Sequence, residues 1–308
     1  MLNITRVFAI SETFYDILFS KGKPVYACPG GAMLNSSVSL GRAGVEVSYI
    51  SEFARDKVGD IILEFLMDNN VSTESLYLYE GSSPLALAFL NEKNDAKYHF
   101  YENFPEKRLY IDVPDFAPDD IVMFGSILSV TRQARDKLME VLNSAGIAGS
   151  LLYYDPNYRD SLFCPIEYIE PLISENIALA DIVRASDEDM RKISECTSPD
   201  EAYEFVCQRG CDVLIYTANS QGVYLRTPSY SREYTVPEIE TVSTVGAGDT
   251  FNAGIVYMLH KRKITDLHNV SGSQWDEIIN IAIEFASHVC MSNDNYISPG
   301  FADRLKKI

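Results

Sequence analysis

The sequence predicts an α/β protein: a mainly parallel central sheet with helices on both faces, plus a small β-sheet lid. Three observations carry this. Short β-like apolar runs alternate with segments of helical period along nearly the whole chain. No internal repeat, low-complexity tract or Pro/Gly-rich linker interrupts them. Two stretches read as strands outside that rhythm: 85–102, where apolar residues alternate with polar or aromatic ones, and 11–29, which looks extended. With 308 residues, 46% apolar and 23% charged, the chain is long enough to bury a large core.

The elements follow in order. Residues 11–29 read as two extended strands joined at Lys21-Gly22-Lys23-Pro24. A strand is predicted over 45–50, then a helix over 58–70 with Val58, Ile61, Ile62, Phe65 and Leu66 on one face. Residues 85–90 and 97–102 flank a turn-like 91–96 as a hairpin. Strands that stay outside the main sheet must bury their apolar face elsewhere, over a ligand or against a partner's lid. A β-meander packed on the domain is the alternative. Further strands are predicted at 121–124, 151–154, 181–184 and 213–217, with helices near 131–145, 187–195 and 200–209. Strand-like runs at 234–236 and 241–242 precede a helix over 251–259 that ends on Lys261-Arg262-Lys263, as the helix macrodipole favours. In the C-terminal helix Ser273 is the predicted cap, and Trp275, Ile278, Ile279, Ala282, Phe285, Ala286 and Val289 form a broad core stripe. Together these make a single domain over 1–308, with the lid drawn from about 11–29 and 75–104.

The formal net charge is −18, from 44 acidic and 26 basic residues. Such a field disfavours nucleic acid and anionic membranes as partners. A phosphate-bearing ligand would therefore need local compensation from backbone amides, a metal ion or a few cations. The six cysteines form no framework; Cys207 and Cys211 lie close together, but no histidine follows at zinc-finger spacing. Buried free thiols in a reducing compartment are expected. The apolar run at 7–10 stops at Ser11 and Glu12, too short for a signal peptide or a membrane span, so a cytoplasmic location is expected. The four histidines show no metal spacing.

The chemistry concentrates in Thr244-Val245-Gly246-Ala247-Gly248-Asp249-Thr250-Phe251-Asn252-Ala253-Gly254. A Gly-rich turn that enters a helix exposes N–H groups with no intrahelical acceptor, which makes an anion site. A carboxylate placed there suits a group that takes a proton from a nucleophile held beside the anion, and Asp249 is the candidate base. A dinucleotide fingerprint fails because Phe251 stands at its third glycine. A Walker loop fails for want of Gly-Lys-Ser/Thr, and protein-kinase signatures are missing. For Gly-x-Gly-Asp alone, a tight turn with an acidic cap fits equally well.

The longer string closely resembles the C-terminal signature of PfkB-type (ribokinase-like) carbohydrate kinases, and other hallmarks of that family follow in order. Pro29-Gly30-Gly31-Ala32 with Asn35 resembles its N-terminal Gly-Gly signature, followed by Leu40-Gly41-Arg42-Ala43-Gly44. Asp56-Lys57-Val58-Gly59 resembles its Asp-x-x-Gly. Asp155-Pro156-Asn157-Tyr158-Arg159 resembles the string of fructokinases and ketodeoxygluconate kinases in particular. Thr217-Ala218-Asn219-Ser220-Gln221-Gly222 resembles the nucleotide loop, with Asn219 in place of the first glycine.

The resemblance implies a sugar kinase that uses ATP and Mg²⁺, with a lid over the sugar; the alternating apolar pattern at 85–90 and 97–102 predicts a homodimer formed through that lid. It implies Asp16, Gly31 and Asn35 as sugar-binding residues, and Thr217, Gly222 and Ser186 around the nucleotide. The amides of Gly246, Ala247 and Gly248 would form the anion hole, and Asp249 would be the base. Arg159 either holds a phosphate or carboxylate oxygen or is a surface cation at a helix start. The family's Asn-x-x-Glu for the metal becomes Ser186-Asp187-Glu188-Asp189, so Asp189, through water, or Glu188 would serve it. Ser11 replaces a glycine often found before Glu12. The hairpin carries Tyr98-His99-Phe100-Tyr101-Glu102 where many fructokinases place an arginine, for which Arg108 is a possible substitute. Fructose is the first acceptor implied; 2-keto-3-deoxygluconate, ribose, a nucleoside, or a catalytically silent binder are the alternatives.

Overall fold

The computed structural model describes residues 5–90, 96–158 and 165–306. Its main sheet is built on β1 (Val7–Ile10), β4 (Val47–Ala54), β9 (Ile121–Gly125), β10 (Leu151–Asp155), β11 (Ile182–Ser186) and β12 (Leu214–Thr217), all parallel. These strands are nearly continuous apolar runs because both faces of the sheet are covered. One edge continues parallel into β5 (Val71–Ser72) and β6 (Leu76–Tyr79), each paired to β4. The other edge turns antiparallel through β13 (Val223–Arg226) and β14 (Ser231–Tyr234).

Helices lie on both faces. Against one pack α1 (Ala32–Arg42), α2 (Lys57–Asp68), α7 (Ala247–Arg262), α8 (Gly272–Cys290) and α9 (Pro299–Leu305). Against the other pack α3 (Arg135–Ala148), α4 (Ile166–Leu179), α5 (Asp187–Ser194) and α6 (Pro199–Cys207). The stripe predicted on α8 is the one that packs: Trp275, Ile278, Ile279, Ala282, Phe285 and Val289 are all buried. Burying each of the larger side chains contributes ~1.5–3 kcal/mol. Helix α7 is buried all along Asp249–Leu259 because it lies between the sheet and α8.

The second sheet has four strands in the order β3 (Lys23–Gly30), β2 (Phe14–Ser20), β7 (Leu85–Leu90) and β8 (Ala96–Tyr101). The hairpin predicted from alternation over 85–102 and the two strands expected in 11–29 are present, and β2 joins them by pairing in parallel with β7. Of the predicted turn 91–96, residues 91–95 lie outside the described residues.

Several expectations differ from the structure. Residues 76–79 pair with β4 in the main sheet, so the small sheet takes less of 75–104 than expected. The cap of α8 is Ser271, whose hydroxyl accepts from Gln274 N while Gln274 reaches back in a capping box; Ser273 lies inside the first turn. Residues 241–242 form no strand, and the run expected at 234–236 is paired at Ser231–Tyr234. Among the described thiols Cys207 is exposed and Cys290 only half-buried, while Cys28, Cys196 and Cys211 are buried.

Candidate active site

In a parallel sheet covered by helices, ligands gather at the carboxyl ends of the strands. Here the loops after β1, β4, β9, β10, β11 and β12 open on one edge, and the small sheet rises from the loop after β1. Its root is fixed by buried hydroxyls. Tyr49 donates to Glu12 O at 2.9 Å, Ser51 donates to Ser11 O at 2.7 Å, and Thr13 shares a hydrogen bond with Ser51 at 2.7 Å.

The predicted sugar-binding residues converge. Asp16 on β2 faces the Pro29-Gly30-Gly31 turn so closely that a β-carbon at Gly30 would overlap its carboxylate. Gly31 is the N-cap of α1 with φ 144°, and a β-carbon there would strike Glu12 O, so both backbone and space require glycine. Burial first, and the nearby Asp249 carboxylate second, push the Asp16 carboxyl up to about 7. Asn35, one turn into α1, donates its amide to Asp249 Oδ2 at 2.8 Å. Its own Oδ1 is buried and meets no donor among the described residues.

Asp249 sits at the third position of α7, 7% exposed. Asn157 donates to its other oxygen at 3.4 Å, and Ser36 donates to its carbonyl at 2.7 Å, tying α1 to α7. The preceding Gly246 caps the helix in a left-handed conformation, φ 79°. Of the three predicted anion-hole amides, those of Gly246 and Gly248 meet no acceptor among the described residues, whereas Ala247 N–H turns back to Thr244 O at 3.3 Å.

The nucleotide loop follows β12. Asn219, standing where relatives of the motif place glycine, has φ 47°, a region that asparagine tolerates better than most residues. Gly222, at φ 129°, closes the turn against Tyr234 O. Thr217 accepts from Arg184 Nη2 at 2.6 Å. Ser186 and Asp189 form a capping box for α5: Asp189 Oδ2 accepts from Ser186 N and Oγ, and its Oδ1 accepts from Tyr158 N at 2.8 Å. Glu188 pairs with Lys192. Among the described residues no three His, Cys, Asp or Glu side chains converge on a metal position. Both Asp189 oxygens are taken up by Ser186 and Tyr158, so an ion at this site could meet that carboxylate only through water.

Arg159 lies outside the described residues. Arg108 is bound to the buried Glu52 carboxylate and stacks 3.6 Å from the Phe104 ring. The residue missed from the sequence is Arg184, buried in β11 and paired to Asp155 at 3.0 Å. A cation inside the run Ile182-Val183-Arg184-Ala185 was the available signal.

Known proteins share both the sequence and the architecture. The aminoimidazole riboside kinase of Salmonella typhimurium is 27% identical over 270 residues, covering 86% of this chain and 84% of its own. A fructokinase of Rhizobium leguminosarum bv. trifolii is 30% identical over 262 residues, covering 81% and 78%. Among solved structures, the aminoimidazole riboside kinase of Salmonella enterica, complexed with aminoimidazole riboside and an ATP analog, superposes with a TM-score of 0.85. It does so at 24% identity, over 98% of this chain and 99% of that one. The fructokinase of Vibrio cholerae O395, bound to fructose, ADP and calcium, gives 0.84 at 18% identity, over 98% and 99%. With the pfkB family carbohydrate kinase pattern running from residue 7 to 298, this chain belongs to that family of carbohydrate kinases.

Proposed function

We propose that this kinase transfers the γ-phosphoryl group of ATP to a sugar hydroxyl, with fructose as acceptor and Asp249 as the base. The observation that carries the reading is the setting of Asp249. Its carboxylate follows the Gly-rich turn, is oriented by two asparagine amides, and lies near Asp16 beneath the small sheet. In the proposed reaction the acceptor hydroxyl gives its proton to Asp249 as the oxygen attacks phosphorus and ADP leaves. The amides of Gly246 and Gly248 receive charge on the phosphoryl oxygens, where positioning and electrostatics account for most of the catalysis. Magnesium bound with the nucleotide would neutralise the β- and γ-phosphates. Asp16 accepts sugar hydroxyls, and the unpartnered Asn35 Oδ1 is an acceptor waiting for another. Thr217 and Gly222 line the nucleotide.

A riboside acceptor is the second reading, favoured by the aminoimidazole riboside kinase relatives. A coupled ADP-release assay over fructose, ribose, 2-keto-3-deoxygluconate and aminoimidazole riboside separates the two. Fructose must give the highest kcat/KM; a riboside that exceeds it overturns the first reading, and no ADP release with any sugar would favour a silent binder.

We also infer a homodimer formed through the small sheet, whose Val25, Tyr26, Phe89 and Tyr101 are exposed. No helix among the described residues is long and apolar enough to cross a membrane.

A further inference from the structure

Three separate parts of the site meet on one buried ion pair. Arg184 projects from β11 and is 6% exposed; Asp155, at the end of β10, is fully buried. Arg184 Nη1 donates to Asp155 Oδ2 at 3.0 Å, and Nη2 donates to Thr217 Oγ1 at 2.6 Å. The flat guanidinium packs against Gly248 of the anion turn, where a β-carbon would lie 3.1 Å from Nη1 and 3.2 Å from Nη2. Asp155 Oδ2 also accepts from Asn252 of α7 at 2.6 Å, one turn beyond Asp249. Its Oδ1 accepts Asn157 N at 3.0 Å, which holds Asn157 at φ 41° with its amide on Asp249.

We propose that Arg184 is a positioning residue for phosphoryl transfer, fixing Thr217 of the nucleotide loop relative to the Gly246–Asp249 turn, with Asp155 as its counter-ion. This rests on Thr217 lining the nucleotide and Asp249 being the base. The geometry needs arginine. A planar fork presents two fixed donors and so bridges a carboxylate and a hydroxyl at once; a lysine ammonium is a point charge without that fixed two-donor geometry. It also gives Gly248 a reason beyond exposing its amide, since a β-carbon there would crowd both Nη atoms and force a shift of a few tenths of an ångström.

The test uses the full chain with Arg184→Lys, Arg184→Ala and Thr217→Val. Binding of MgADP is followed by calorimetry, and turnover with the best acceptor of the sugar panel. Arg184→Lys should keep the wild-type circular dichroism spectrum. Its MgADP affinity should fall by about tenfold, the scale of one charge-assisted hydrogen bond. Its kcat should fall by ~10²-fold, as misplaced reacting groups do, with KM for the sugar unchanged. Adding Thr217→Val to Arg184→Lys should cost little more, because the two residues act through one contact. Guanidinium ion at millimolar concentration should restore part of the turnover of Arg184→Ala, and tetramethylammonium should not. Wild-type MgADP affinity and kcat in Arg184→Lys would overturn the proposal. So would a fall in thermal stability with sugar KM and nucleotide affinity altered alike and no guanidinium rescue, which marks a merely structural pair. If Arg184→Ala does not fold, Arg184→Lys decides alone. Should Asp249→Asn keep its turnover, the base reading fails while the MgADP measurement still judges Arg184.

Discussion

The side-chain amide of Asn35 donates to Asp249 Oδ2 at 2.8 Å across 214 positions of sequence. It joins the first helix after the small sheet to the first turn of α7, and with Asn157 it leaves the carboxylate little freedom to rotate.

Asp249→Asn should therefore preserve the fold, because an amide oxygen can still accept from Asn35, but it has no basic oxygen to take the acceptor proton. The expected loss in kcat is ~10²–10⁴-fold, with MgADP affinity nearly unchanged. Steady-state kinetics beside calorimetry check this, and a near-normal kcat in the variant would remove Asp249 as the base.

Asp16 makes a prediction about pH. Its carboxyl is raised from 3.8 to about 7 in the folded protein, by burial first and the Asp249 charge second. Between these values the folded chain holds a proton that the unfolded chain has released. Stability of the free enzyme thus falls as pH rises through this window and levels off above it. An ionised Asp16 is the better acceptor for sugar hydroxyls, so kcat/KM for the sugar should fall as pH drops below about 7. Asp16→Asn should melt higher than the parent at pH 8, bind sugar more weakly, and lose this limb of the profile. Melting curves and pH–rate profiles of the pair decide it; an unchanged limb in the variant would assign the titration elsewhere.

The exposed apolar side chains of the small sheet predict the dimer. Val25 and Tyr26 on β3 and Phe89 on β7 are set in a sheet whose far strand, β8, is an open edge carrying the exposed Tyr101. Such a surface is prone to association. Light scattering at micromolar concentration should give twice the chain mass, and Tyr26→Lys combined with Tyr101→Lys should halve it. A stable parental monomer would end this prediction.

Little activation by potassium is expected. Many family members carry Asp-Thr just before the anion turn, and that aspartate helps to build a monovalent-cation site; this chain has Ser243-Thr244. The turn instead packs on the backbone of Asn295, close enough that a β-carbon at Gly246 would strike its carbonyl. Initial rates in KCl should match those in tetramethylammonium chloride. A several-fold rise specific to potassium would show that a site survives, with Asp294 the first ligand to replace.

Much of this protein was legible in local sequence, because local chemistry sets it. The alternation of apolar runs with helical periods placed β4, β9, β10, β11 and β12 to within a few residues but not β1, β5 or β6, and period-2 alternation marked the β7–β8 hairpin. The turn at Gly246–Asp249 announced itself because unsatisfied amides at a helix start need only neighbouring residues. What sequence could not decide were relations between distant segments. Ser271 rather than Ser273 caps α8 because the helix begins one residue after Ser271, and β6 joins β4 because the chain folds back there. Asp189, which the family resemblance offers as a metal ligand, is occupied by Ser186 and by Tyr158, the latter 31 positions away. Arg184 is the clearest case. Nothing within β11 says what a buried cation is for; its partners Asp155, Thr217 and Gly248 come from three other elements, and only their convergence at the strand ends turns a charge in a strand into part of an active site.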